Sequence, residues 1–432
     1  MVQMKKEFSG KKILILGGVK LACDIVLHAQ QMGAYVIVAD YNEDSPAKMI
    51  ADEGVLIDAT DVDAIVEYCI DNKVDGITTG FVDILMPIVY TACQRLDLPC
   101  YWTEKMLSMA TNKIDFKETC LKYNIPVPKT YLKGSELCPE VLERIIYPIF
   151  VKPLDASGSR GAGVCYNEDE LIRQFNIAKS FSASKNVIIE DYITGTEFLL
   201  DYIGVNGEWR LLSMFDRYMC DDRSSAVNYS NISMAPSKKI DNYLQTINES
   251  ITEMFRDLGF KDGLIFLQGH TNGSKITFYE MGARLGGSFY NLEQACLGYN
   301  PVDMIVRCAL TGHMVDDIER IPKDVAKFQK TAVVCNYLLK GQNETINEIC
   351  GLEEMKEIPS YVSSIIQRGI GCYYTTDRTV DKPAISVYLL ADDMERAKQD
   401  ISTLNRVLDV KNANGDSILM KKYDPVNLKK DG

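Results

Sequence analysis

The chain is short of the residues from which imidazole-based sites are made. Among its 432 residues there are three histidines, His28, His270 and His313, widely separated in sequence. Its thirteen cysteines include no CxxC pair. A structural zinc site is therefore not expected, and the thiols read as reduced groups of a cytosolic protein. An excess of positive charge is also missing: 47 Lys and Arg stand against 60 Asp and Glu, for a net charge of −13. That excludes a general nucleic-acid surface, which needs clustered cations, but leaves room for a local basic pocket. No apolar run approaches the ~20 residues that span a bilayer. The opening residues, MVQMKKEFSGKK, have no apolar segment behind their charges, so no secretory signal is read there. The expected location is cytoplasmic, with neither membrane nor nucleic acid as partner.

The common nucleotide motifs are absent too. Walker A needs GxxxxGK[ST], and the chain's only Gly-Lys pair, Gly10-Lys11, has neither the earlier glycine nor a following Ser or Thr. The kinase signatures HRD and DFG do not occur. The first strand, KKILILGG, does lead into a helical stripe of Ile25, His28, Ala29 and Met32 and then a second strand, AYVIVAD, ending at Asp40. This is a βαβ unit. Its loop, however, runs Gly17-Gly18-Val19-Lys20-Leu21-Ala22 and lacks the third glycine of GxGxxG, which argues against NAD. Asp40 reads equally as a loop clasp or a ribose ligand, and His28 as a packing residue. Further strands (GVLIDA, VDGITTG) alternate with helical stripes (Val62, Ile65, Val66, Cys69; Leu85, Ile88, Val89, Ala92), so residues 11–100 read as a doubly wound parallel α/β unit.

What is present is a different kind of phosphate grip. YPIFVKP reads as a strand with Lys152 at its end and Pro153 stopping the ladder. Ser157-Gly158-Ser159-Arg160-Gly161 follows, a flap whose glycines let backbone N–H groups approach an anion closely. Lys152 supplies a point charge and Arg160 a fork. Upstream, Thr111-Asn112 caps a helix that opens with Lys113. Downstream, VIIEDYITGTEFLLDYI is a strand, a linker and a strand, with Glu197, Leu199, Asp201 and Ile203 on one face of the second. GLIFLQGHTNGSKITFYEMGARLGG reads as a hairpin on an Asn-Gly turn, closing with Glu280, Arg284 and a glycine pair. Asp216 and Arg217 read either as acceptor-pocket residues or as a strand-end ion pair. His270 reads as a surface residue near a turn, Asp83 as a strand-end ligand or a helix cap, and Asn300-Pro301 as a helix start.

In this order, from about residue 11 to 315, the motifs resemble the ATP-grasp superfamily, carboxylate–amine ligase type. The tail from about 325 to 425 is similar to the small C-terminal domain of carbamoyl-phosphate-synthase-like and amino-acid-ligase-like members. The resemblance implies an N-terminal doubly wound parallel α/β domain (1–110), an ATP-grasp domain of two α+β subdomains (111–320) and a small C-terminal α+β domain (321–432). It implies ATP and Mg²⁺ as cofactors. Lys113 and Lys152 would meet the ATP phosphates, and Ser157, Gly158, Ser159 and Gly161 would form the flap, with Arg160 beside them. Glu190 and Ile193 would meet the adenine edge and Glu197 the ribose. Glu280 and Gln268 would hold the metal, and Arg284 would steady the phosphorylated substrate. The implied reaction is ADP-forming activation of a carboxylate as an acyl phosphate, then attack by an amine, with amino acids or small metabolites as substrates. Alternatives are a bicarbonate-activating enzyme of the carboxylase or carbamoyl-phosphate kind and an inactive nucleotide-binding protein. A homodimer is compatible with either. Two positions depart from the family pattern: Gln268 stands where an acidic ligand is usual, and Gly282 replaces the asparagine of Glu-x-Asn-x-Arg.

Overall fold

The computed structural model describes residues 7–156, 160–219, 230–340, 343–374 and 383–428. Near its start, β1 (Lys12–Leu16), β2 (Tyr35–Ala39), β3 (Glu53–Val55) and β4 (Gly76–Thr78) form a parallel sheet in the order β3-β2-β1-β4. The KILIL and VIVA runs are buried almost throughout, as strands covered on both faces require. Helices α1 (Ala22–Gln31), α2 (Val62–Asn72) and α3 (Met86–Leu96) connect and cover these strands. The strand expected over GVLIDA is shorter, because Leu56 turns out to solvent and Asp58 starts a turn on Thr60.

The glycine loop of the first βαβ unit is occupied by the protein itself. Asp40 Oδ2 accepts the Gly18 N–H at 2.6 Å, and a Cβ on Gly18 would lie 2.1 Å from Ser45 Oγ. Asp40 is thus the clasp of the loop, and Ser45 fills the space a pyrophosphate would need. His28 is likewise structural: its Nδ1 meets Asp303 at 2.7 Å.

Two short helices follow, α4 (Glu104–Thr111) and α5 (Lys113–Lys122), the second capped by the Asn112 side chain as the sequence predicts. Strands β5 (Thr130–Gly134), β6 (Ile149–Pro153), β7 (Gly163–Cys165) and β8 (Val187–Asp191) form an antiparallel sheet in the order β5-β8-β6-β7, accompanied by α6 (Pro139–Leu142) and α7 (Glu168–Phe181). Pro153 is the last residue of β6 and stands opposite Val187 where the β6–β8 register ends, as the sequence predicts.

A larger antiparallel sheet contains β9 (Thr196–Val205), β10 (Glu208–Tyr218), β11 (Ile232–Ala235), β12 (Gly263–Asn272), β13 (Lys275–Gly282) and β14 (Thr331–Leu338). It is extended by β17 (Tyr361–Ile366) and β19 (Pro383–Ala391), in the order β13-β12-β9-β10-β11-β14-β19-β17. Two small ladders, β15 (Glu344–Thr345) with β18 (Tyr373–Tyr374) and β16 (Glu348–Cys350) with β20 (Asp409–Lys411), complete the tail. The remaining helices are α8 (Ile240–Thr246), α9 (Asn248–Asp257), α10 (Tyr290–Leu297), α11 (Pro301–Thr311) and α12 (Met394–Val407). No helix among the described residues is long and apolar enough to cross a membrane.

Helix α11, capped by Asn300 and started by Pro301, returns to pack on α1, β1 and β4. One continuous apolar core therefore runs from Phe8 to Ala326. Gly76 lets this happen: a Cβ there would sit 2.2 Å from the Ala309 carbonyl oxygen, a backbone atom. Gly76→Ala should push α11 off β4 and destabilise the protein by roughly 1–3 kcal/mol, the usual cost of overpacking, read as a lower urea midpoint.

Candidate active site

The β5–β8 sheet and the larger sheet face one another across a cleft of about 610 Å³. Its lining includes Lys113, Lys152, Arg160, Ile193, Glu197, Gln268, Glu280 and Arg284. Residues from four separate stretches of sequence thus converge on one cavity. Gly161 adopts φ +71°, and a Cβ there would lie 2.8 Å from the Phe181 Cβ, so only glycine fits. Ser157, Gly158 and Ser159 lie outside the described residues.

The lysines sit over a buried ionic network. Glu190 is almost fully buried, with one oxygen 2.6 Å from Lys152 Nζ and the other 2.5 Å from Lys117 Nζ. Lys117 also donates to Thr130 Oγ1 at 2.8 Å. Burial pushes the Glu190 carboxyl upward, but Lys152 and Lys117 together outweigh it and hold it below the ordinary carboxylate range. Glu190 lines the cleft with both its oxygens engaged by ammonium groups. Sequence reading missed Lys117, although it stands four residues after Lys113 on α5, the spacing that places two side chains on neighbouring turns of one face. Lys113 reaches the base of the flap, donating to the Ala156 carbonyl at 2.7 Å. Burial pulls its ammonium below the usual lysine range, against the pull of Glu280.

A bulge shapes the opposite wall. Gln268 pairs with Glu280 across the β12–β13 hairpin, whereas Gly269 pairs with Phe278, leaving Tyr279 as the extra residue. In a regular strand Tyr279 and Glu280 would face opposite sides; here both line the cleft. Alternation predicts the wrong face for Tyr279, and nothing in the sequence signals the bulge. The Tyr279 hydroxyl donates to Glu197 Oε1 at 2.6 Å, and Arg217 Nη1 donates to the same oxygen at 2.5 Å. Arg217 and Asp216 therefore separate: Arg217 lines the cleft, while Asp216 is buried and accepts from Ser237 and the Lys238 N–H. His270 is not a surface residue. It lies opposite Glu197 on β9, lines the cleft and packs beside the Tyr279 ring, because β12 continues past it to Asn272.

Arg284 is clamped by Asp83, with Nε to Oδ1 at 2.6 Å and Nη2 to Oδ2 at 2.9 Å, and it lies over the Phe266 ring. The bidentate fork ties the cleft to the N-terminal α/β unit. Phe266 also accounts for one departure. A Cβ on Gly282 would lie 2.0 Å from the Phe266 ring, so the space of an asparagine side chain is already filled by an aromatic one. For Mg²⁺ the residues fit an ion that uses the Glu280 carboxylate and the Gln268 amide oxygen, hard donors paired across the hairpin. Among the described residues no group of three His, Cys, Asp or Glu side chains is arranged to hold a metal, so other ligands must come from phosphate oxygens and water.

Beside Gly286 and Gly287 lies a buried carboxyl pair, Asp201 and Glu293. Ser213 Oγ donates to Glu293 at 2.7 Å and approaches Asp201 at 3.4 Å, and the Gly286 N–H bonds Asp201. Burial, then the neighbouring Glu293, drives the Asp201 carboxyl far above its ordinary range, and burial pushes Glu293 up to about 7. Two acids sharing a dry site cannot both ionise.

Three comparisons bear on this geometry. A family model for the ATP-grasp domain matches residues 145–291. The formate-dependent phosphoribosylglycinamide formyltransferase of Sulfurisphaera tokodaii is 25% identical over 321 residues, 69% of this chain and 76% of that protein. The enzyme of the same name from Prochlorococcus marinus (strain NATL1A) is 27% identical over 193 residues, 42% of this chain. The chain thus spans about three-quarters of the first relative and about half (48%) of the second. Among solved structures, the L-amino acid ligase from Bacillus licheniformis superposes with a TM-score of 0.76 at 18% identity, covering 93% of this chain and 99% of that one. The biotin carboxylase domain of Hydrogenobacter thermophilus 2-oxoglutarate carboxylase, captured with MgADP, ADP and bicarbonate, gives a TM-score of 0.73 at 16% identity, covering 93% and 91%. These likenesses show a shared fold, the mixed α/β architecture with a parallel N-terminal sheet.

Two measurements test the buried groups. Lys117→Met, which leaves Glu190 half-paired, should cost roughly 3–5 kcal/mol of stability in urea unfolding. The folded-state pKa of Glu293 lies above its unfolded value of 4.5, so its contribution is present below about pH 4.5 and is lost as pH rises through about 7. Glu293→Gln should therefore remove stability loss that the parent shows between those limits, gaining on the parent at about pH 8 relative to about pH 5.

Proposed function

With residues 145–291 an ATP-grasp domain, we propose that the chain is an ADP-forming ligase that activates a carboxylate as an acyl phosphate and joins it to an amine. The observation that carries this reading is the convergence of Lys113, Lys152, Arg160, Glu280 and Arg284 on one cleft. A carboxylate is a poor electrophile until its oxygen is phosphorylated. Phosphoryl transfer asks for positioning and charge neutralisation rather than a protein nucleophile. Lys113 and Lys152 neutralise the phosphate tail as charge moves toward the leaving diphosphate. Glu190 holds Lys152 in place rather than touching the base. Ile193 and the linker after β8 border the nucleotide, and Glu197, fixed by Arg217 and Tyr279, faces its ribose. Bound through Glu280 and Gln268, Mg²⁺ would supply charge neutralisation at the phosphates. Arg284, oriented by Asp83, stabilises the anionic acyl phosphate while the amine attacks its carbonyl carbon and phosphate departs.

The domain division at 110 and 320, the cytoplasmic location and the amino-acid or small-metabolite substrates belong to the same proposal. The relatives' names point to formate and phosphoribosylglycinamide, and the fold neighbours to amino acids and bicarbonate. The test is incubation with ATP, Mg²⁺ and a panel of carboxylates, formate and bicarbonate included, with amino acids and other amines as acceptors. ADP, phosphate and a new amide are then followed by mass spectrometry. Amide formation should fall by roughly 100- to 1,000-fold in Lys152→Met, as when one preorganised charge is removed elsewhere. An absence of turnover with every pair, together with unchanged ATP binding in that variant, would overturn the reading.

A further inference from the structure

The sheet that floors the cleft changes character across its width. In an antiparallel sheet, residues directly opposite one another on neighbouring strands share a face. One such row runs from His270 through Glu197, Arg217, Ser233 and Val334 to Tyr388. It begins charged, where the ligase reading puts the ribose, passes a small residue and ends with an aliphatic and an aromatic side chain. The neighbouring row runs from Glu280 through Gln268 and Leu199 to Phe215. There the pair suited to Mg²⁺ likewise gives way to carbon. Phe215 stands two strands from Gln268, about 10 Å at ordinary strand spacing.

The segment after Arg284 crosses this apolar half. Gly286 passes so close to β9 that a Cβ on it would lie 2.3 Å from Asp201 Oδ1 and 3.0 Å from Leu199 Cδ2. Beyond the glycines, the Ser288 and Tyr388 hydroxyls are hydrogen-bonded, and the Phe289 ring lies against Phe215 with centroids 4.4 Å apart. Phe289 is half-buried and lines the cleft together with Leu199 and Val334. Charge at this end is already matched within the protein. Arg217 holds Glu197, and Arg284 holds Asp83. The polar groups between are neutral: Asn336 Nδ2 donates to the Ser230 carbonyl at 2.9 Å, and Asn336 Oδ1 accepts from Ser386 at 2.8 Å.

We propose that this end of the cleft is the side-chain subsite for the carboxylate substrate, and that it takes an amino acid with an apolar side chain of leucine to phenylalanine size. The inference rests on the ligase reading, which puts the substrate's carboxyl group beside Glu280, Gln268 and Arg284. From there a side chain directed along the second row meets Leu199, Phe289 and Val334. Carbon buried against carbon is favoured. An acidic or phosphorylated side chain would leave water for a wall whose arginines, among the described residues, already carry carboxylates, and its desolvation would go uncompensated.

The test titrates the full chain, with ADP and Mg²⁺ present, against L-leucine, L-phenylalanine, glycine, L-aspartate and formate by calorimetry, and follows ADP release from ATP with each acid. Leucine and phenylalanine should bind roughly tenfold or more tighter than the other three, the scale on which an apolar pocket rewards added methylenes. Phe289→Ala should cut the leucine-to-glycine affinity ratio by roughly tenfold, and Val334→Phe should weaken phenylalanine more than leucine. Each readout is a ratio within one variant, so a general loss of fold does not imitate it. Leucine-selective binding without ADP release would sink the ligase reading and still support the subsite. Equal affinity across the panel, no binding of any acid, turnover of glycine or formate in preference to leucine, or ratios unchanged in both variants would each overturn the subsite.

Discussion

The cleft depends on a carboxylate in its wall whose two oxygens are both engaged from within the protein. Glu190 sits between Lys117 and Lys152 in a nearly dry interior. Without it, two ammonium groups would face each other near Lys113, and the cheapest response would be to lose a proton or swing a side chain into water. With it, Lys152 is held in place before any phosphate arrives. Preorganised charge of this kind avoids reorganisation during reaction, and a buried carboxylate is its structural cost.

The opposite wall uses a second device. A single extra residue in β13 turns Tyr279 toward the cleft beside Glu280. Tyr279 and Arg217 then fix Glu197, so one irregularity in the hairpin orients residues on three strands. Phe266 and Gly282 form a further matched pair. The ring stands where a larger residue at 282 would place its side chain, and it also supports Arg284. Glycine at 282 thus leaves room for the Phe266 ring, and the two positions belong to one packing solution.

Much of this was legible in the sequence, and the reasons differ by feature. Parallel strands follow from buried apolar runs alternating with helical stripes, and the helix starts at Lys113 and Pro301 follow from asparagine caps. Lys113, Lys152, Glu197, Gln268, Glu280 and Arg284 could be named because the motifs lie in order along the chain. Interactions that span remote segments were not legible. Nothing near Glu190 announces that Lys117 will claim an oxygen, and Asp83 and Arg284 meet only because the N-terminal unit docks on the hairpin. His270 was misplaced because closeness to a turn suggested exposure, whereas the strand runs on past it. Tyr279 was hidden by a bulge, which depends on pairing rather than on local composition.

Helix α11 has a consequence for how the protein comes to be folded. The sheet formed by residues 12–78 packs against a helix beginning at Pro301, so during synthesis that face stays uncovered until more than two hundred further residues have emerged. Contacts of such separation close slowly, and exposed apolar strands invite association with other chains in the interval. A nascent chain shielded by a chaperone through that window should fare better than one released early, and a fragment ending before residue 301 should be poorly soluble however complete its α/β pattern looks.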